Sequence, residues 1–189
     1  MKGLELAEKF YYEYGEKMLN DNFSHIKNHI AVGLVGSGSE CFGFDDEISR
    51  DHDFEPGFCI FIPDEPIISS KDKFELERAY SNLPKEFDGF KRNNINPVGG
   101  NRHGVIRISD FIESKTGDKS GNISTKDWFF ISEQFLLEAT NGKLFYDNLG
   151  LITEIREKLK YLPEDVRLKN NSKILMKITE ERENNNLII

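Results

Sequence analysis

A continuous apolar run, Ile30-Ala31-Val32-Gly33-Leu34-Val35, leads directly into Gly36-Ser37-Gly38-Ser39, and eleven residues further on stands Asp51-His52-Asp53. A run without polar alternation predicts a short strand covered on both faces, so the chain must place layers on either side of a sheet. The Gly/Ser segment ends that strand in a loop with space for a phosphate-sized group and backbone N–H groups to offer it. In an extended strand alternate side chains share a face, so Asp51 and Asp53 would project together and His52 away from them, as a packing histidine. Two carboxylates on one rigid edge suit Mg²⁺, which takes few protein ligands and completes its shell from water and phosphates.

The remaining elements follow from periodicity. Leu4, Ala7, Phe10, Tyr11, Tyr14 and Met18 recur at helical spacing over residues 3–20, and a second short helical turn is expected over His25 to Asn28. A second strand should begin near Asp51, break at Glu55-Pro56-Gly57 and resume through Phe58-Cys59-Ile60-Phe61-Ile62 until Pro63. A helix is expected over 71–82 with Phe74, Leu76, Ala79, Tyr80 and Leu83 as its apolar set, then a long loop from Lys91 to Arg102. Val105 to Ile108 reads as a strand, with Ser109 capping a helix through Glu113. Ser132 should cap a helix that runs to Thr140 and stops at Asn141-Gly142. Leu151 to Leu159 has an amphipathic pattern, and another helix is expected from Arg167 onward. The class is therefore α/β (α+β), a small mixed sheet flanked by helices. The expected division is a domain over 1–150 and an incomplete helical segment over 151–189.

Composition narrows the function classes. Lys and Arg total 25 against 33 Asp and Glu, a formal charge of −8, which argues against broad nucleic-acid binding through many phosphate contacts. No apolar run is long enough to span a bilayer and no leader pattern opens the chain, so no membrane partner is expected. Cys41 and Cys59 form no metal-type pair and read as two free thiols of a cytoplasmic protein.

Competing motifs fail on spacing. Gly38 and Gly43 have the gap of a P-loop, but Phe44 stands where lysine is required. Cys41 occupies the third glycine of a dinucleotide fingerprint, and Pro56 occupies the glycine of a calcium loop counted from Asp51. No Gly-x-Ser-x-Gly elbow surrounds Ser37 or Ser39. What survives is an apolar strand, Gly-Ser, a spacer of eleven residues and Asp-x-Asp. This pattern resembles the active-site signature of the polymerase-beta-like nucleotidyltransferase superfamily. The run from Ala31 to Phe54 further resembles a bacterial domain-of-unknown-function branch of predicted nucleotidyltransferases, and so do Arg102 to Ile106, Ala139 to Asp147 and Tyr161 to Lys169. Members of that branch continue into a longer helical half, so the chain reads as a shortened member.

The resemblance implies a nucleotidyltransferase-type sheet and transfer of a nucleoside monophosphate from an NTP to an acceptor, which is a small molecule, a protein or an RNA end. Asp51 and Asp53 would be the catalytic pair and would hold Mg²⁺ against the triphosphate; Gly36, Ser37, Gly38, Ser39 and Arg50 would contact the nucleotide, with Arg102 as a further cation. The superfamily adds a third carboxylate from a later strand, where this chain has Arg107; Glu55, Asp110 and Asp147 are the candidates left open. The alternative expectation is a catalytically silent nucleotidyltransferase fold that binds a nucleotide or a partner protein.

Overall fold

The computed structural model describes residues 2–43, 55–92 and 102–168. Asp51, Asp53 and Arg50, with His52, lie outside the described residues.

The N-terminal helical run comprises α1 (Gly3–Phe10), a π-helical turn (Tyr11–Gly15) and α2 (Glu16–Asn22). The expected stripe is buried at Ala7, Phe10, Tyr11 and Met18, and Leu6 and Leu19 join it. The π turn inserts extra residues into the helical repeat, which lets Tyr11 and Tyr14 both pack inward around Phe10. A short 3₁₀ turn (Lys27–His29) precedes β1 (Ala31–Leu34). Both β1 and β2 (Cys59–Ile62) are buried along their whole length, as the apolar runs require.

The sheet has four strands in the order β5 (Gly104–Arg107), β2, β1, β6 (Lys143–Asp147). Strand β1 pairs antiparallel with β2 and with β6, while β2 and β5 run parallel. The parallel pair needs a crossover, and the chain supplies it with α4 (Ser70–Ser81) and a two-stranded hairpin, β3 (Glu86–Phe87) and β4 (Phe90–Lys91). One face of the sheet packs Val32, Phe58, Ile60 and Ile62 against Phe10, Tyr11, Leu76 and Tyr80. The other packs Ala31 and Phe61 against Ile112 of α5 (Ile108–Thr116), Ala139 of α6 (Glu133–Thr140) and Ile152 and Leu159 of α7 (Leu151–Leu159). Val166, in a helical turn over 164–168, closes this second cluster. Each fully buried Val, Leu, Ile or Phe side chain among these contributes about 1.5–3 kcal/mol. The result is the mixed α+β architecture expected from the sequence, a four-stranded mixed sheet with helices on both sides.

Several local expectations are corrected. Ser109 is not a cap: α5 starts at Ile108 directly after β5, and the Ser109 hydroxyl donates to Asp64 at 2.7 Å. Phe74, expected in the apolar set, is exposed because it stands two residues before Leu76 and so on the opposite side of α4 from Leu76 and Tyr80. Lys91 belongs to a strand rather than a loop and pairs with Glu86. The last helical turn starts at residue 164, ahead of Arg167. Ser69 caps α4 and Ser132 caps α6, each accepting a backbone N–H from three residues on. Among the described residues no helix is long and apolar enough to cross a membrane.

Candidate functional site

Strand directions gather four chain segments at one end of the sheet. Leu34, the last residue of β1, pairs with Lys143, the first residue of β6, and Gly33 pairs with Cys59, the first residue of β2. Cys59 in turn lies beside Gly104, where β5 begins. The Gly36–Ser39 loop, Glu55 to Phe58, Arg102-His103 and Asn141-Gly142 therefore meet at this near end.

The loop is held from several sides. Gly36 adopts φ 117°, a conformation open to glycine and rarely to other residues. Its N–H donates to Asn141 Oδ1 at 3.0 Å, and its carbonyl accepts from Asn141 Nδ2 at 2.7 Å. Ser37 is exposed and Ser39 half-buried, and neither hydroxyl has a hydrogen-bond partner among the described residues. A short helix α3 (Ser39–Phe42) follows, and Gly142 N–H donates to the Cys41 carbonyl at 3.1 Å. The guanidinium of Arg102 pairs with the buried Glu40 carboxylate directly over Gly38, where a Cβ would meet Arg102 Nη2 at 2.0 Å. Thus the loop has backbone and hydroxyl groups to offer, with a paired cation beside it.

On the other face of the same end lies a carboxylate–imidazole pair. His103 Nδ1 is 3.2 Å from Glu55 Oε1, and the ring lies on the backbone of Gly57. His103 is only 7% exposed and its Nε2 has no hydrogen-bond partner among the described residues. The Glu55 carboxylate can accept a hydrogen bond from Nδ1 and so fixes the orientation of the ring. The Tyr11 hydroxyl is likewise buried without a partner, and burial raises its pKa. Such orphans are rare in folded proteins and ask for an explanation. Both thiols sit near this end, and burial pushes Cys41 and Cys59 up to about 12, so they are neutral and unreactive at neutral pH.

The candidates for a third carboxylate separate clearly. Glu55 stands at the near end and is engaged by His103. Asp110 is exposed in the first turn of α5, after the C-terminal end of β5, at the opposite end of the sheet. Asp147 lies opposite Ala31 at that same far end and accepts from Thr153 N–H at 3.0 Å and Thr153 Oγ1 at 2.7 Å, capping α7. Arg107 is also at the far end, donating to the Pro63 and Ile68 carbonyls. Among the described residues no group of three His, Cys, Asp or Glu side chains could hold a metal ion.

Sequence reasoning read Asn141 as a helix stop and missed its grip on Gly36. Nothing in the local pattern announces a contact across 105 positions. His103 and Glu55 were also not paired in advance, since 48 positions separate them.

Residues 128–187 match the model of a family described as a domain of unknown function, DUF4037. The match spans less than half of the chain and takes in α6, Asn141, β6 and α7. No curated protein and no solved structure gives a significant match.

Proposed function

We propose that the protein is a Mg²⁺-dependent nucleotidyltransferase, a member of the polymerase-beta-like superfamily, moving a nucleoside monophosphate from an NTP to an acceptor still to be identified. The observation that carries this reading is the convergence of strand ends. The Gly36–Ser39 loop ends β1 beside the entry to β2, and Glu55, two residues after Asp53 in the chain, stands at that same end. A phosphate loop and an Asp-x-Asp pair are useful only when the fold delivers both to one place, and the antiparallel β1–β2 pairing supports the reading by bringing Glu55 to the loop's end of the sheet.

In this reading Asp51 and Asp53 hold Mg²⁺, their paired carboxylates being the hard oxygen donors it prefers. When bound, the ion neutralises charge on the triphosphate. The chain's own residues do the rest by positioning. Ser37 and Ser39 have hydroxyls to donate to phosphate oxygens, and Gly38 lets the Arg102–Glu40 pair sit close against the loop. Arg50 and Arg102 supply positive charge, Arg102 from a position fixed by Glu40. His103, oriented by Glu55, would accept a proton at Nε2.

A second reading is favoured by one observation: Asp110 and Asp147 are both at the far end, so neither can complete a carboxylate trio at the loop. A silent nucleotidyltransferase fold that binds nucleotide without turnover fits that arrangement. The two are separated by incubating the purified chain with Mg²⁺ and each labelled NTP, alone and with cell extract. Label transfer that disappears in Asp51→Asn/Asp53→Asn supports the enzyme; Mg²⁺-dependent NTP binding without transfer supports the silent fold. Neither binding nor transfer would remove both.

A further inference from the structure

Asn141 has three polar functions, and each is used differently. Its N–H ends α6 by donating to the Leu137 carbonyl at 2.8 Å. Its own carbonyl accepts from the Arg156 guanidinium, which also donates to the Ala139 and Thr140 carbonyls at 3.0 Å each. Its carboxamide makes the paired bonds to Gly36 N–H and carbonyl. The β1–β6 register runs Gly33 with Leu144 and Leu34 with Lys143, so its continuation brings Gly36 opposite Asn141. The backbone of Asn141 is already committed to α6 and Arg156, and the side chain takes over the ladder position in its place. A carboxamide has the donor and acceptor of a peptide group, which is why asparagine can do this.

Gly142 completes the grip. Its N–H binds the Cys41 carbonyl at the far side of the loop, and at φ 69° its Cα lies so close to β1 that a Cβ would meet the Leu34 carbonyl at 2.1 Å. The dipeptide therefore fixes the loop at both ends while Ser37 to Ser39 stay clear of it. Because Gly36 spends its N–H and carbonyl on Asn141, the N–H groups left for a ligand are those from Ser37 onward.

We propose that Asn141 is the positioning residue of the Gly36–Ser39 loop, held in place by Arg156, so that phosphate binding at the loop depends on the α6–α7 part of the chain. The ligand named in this inference rests on the nucleotidyltransferase reading; the bracing of the loop does not. Arg156 is buried with a guanidinium wholly turned to the end of α6, and burial lowers its pKa. Three carbonyls around one planar fork fix that helix end more tightly than a lysine could.

The test uses the full chain with Asn141→Ala, Asn141→Asp and Arg156→Lys, and reads two quantities. Backbone amide exchange in the free protein should rise roughly tenfold or more over residues 36–39 in Asn141→Ala, the effect of losing two bonds, with Ala31–Leu34 unchanged. Mg·ATP affinity should fall by a similar factor. Asn141→Asp keeps the acceptor for Gly36 N–H but loses the donor, so it should fall between the two, and Arg156→Lys should move both readouts in the same direction. Unchanged exchange over 36–39 overturns the inference whatever the affinity. So does a rise shared equally by the whole sheet, and so does altered exchange with wild-type Mg·ATP affinity. If the wild type binds no NTP while exchange over 36–39 responds, the nucleotidyltransferase reading falls and the bracing by Asn141 stands.

Discussion

The two ends of the sheet are built from the same strands and use their polar groups in opposite ways. At the far end Arg107, Ser109 and Asp147 are spent on structural hydrogen bonds. Arg107 holds the turn after β2, Ser109 donates to Asp64, and Asp147 caps α7 through Thr153. At the near end the backbone turns through Gly36 and Gly142 at positive φ, and Ser37 is exposed. There His103 keeps a buried nitrogen without a hydrogen-bond partner among the described residues. Stability accounts for the far end completely. It does not account for the near end, where an unsatisfied buried nitrogen costs about 1–3 kcal/mol for no structural return.

That contrast can be broken in four ways. The largest effect is expected in alkali, because both thiols belong to the near end and are neutral in the fold. Stability should be complete below the ordinary thiol value of about 8.5 and be lost as pH rises toward about 12, where the folded thiols ionise. Denaturant melts at stepped pH read this, and Cys41→Ala with Cys59→Ala should move the alkaline midpoint upward; an unmoved midpoint would assign the loss elsewhere. Next, Gly142→Ala should lower the unfolding free energy by about 3 kcal/mol or more, combining positive-φ strain with the clash at Leu34. A urea melt within 1 kcal/mol of wild type, on the order of a surface change, would mean the β1–β6 corner is loose.

Arg107→Met, at the far end, should cost about 2 kcal/mol by leaving two carbonyls without their donor while nucleotide binding stays as in the wild type. Loss of binding there would erase the distinction between the ends. The smallest stability change is expected for His103→Asn, within about 1 kcal/mol, since its amide can still donate to Glu55 while the unpartnered ring nitrogen is removed. Label transfer should nevertheless drop. A stability loss equal to that of Arg107→Met, with transfer intact, would make the histidine a structural group like those at the far end.

Much of the scaffold was legible because burial imposes periodicity. The residue 3–20 stripe, the doubly covered strands at 31–34 and 59–62 and the cap at Ser132 all follow from local pattern. Strand β6 was not read as a strand, since Lys143 to Asp147 is short, half-buried and without alternation. The β3–β4 hairpin had a usable sign that went unread, Asp88-Gly89 between Phe87 and Phe90, with Asp88 at φ 53°. Ser109 misled because a serine before a helix ordinarily caps it, whereas β5 runs into α5 with no turn between. Of the candidate site, the loop was visible as composition. Its anchoring by Asn141 and Arg156, and the pairing of Glu55 with His103, depend on contacts between distant positions, and one sequence carries no trace of those.

The span between Gly36 and Asn141 also bears on how the molecule is made. Synthesis runs from the N-terminus, so β1, the loop and β2 leave the ribosome long before their brace does. Until Asn141 and then Arg156 have emerged, the nascent loop lacks its anchor at Gly36, and closing a contact over 105 positions is among the slower steps of folding. A ribosome stalled before Arg156 would display most of the sheet with the Gly36–Ser39 loop unset, so the final shape of that loop is expected to be the last feature the growing chain acquires.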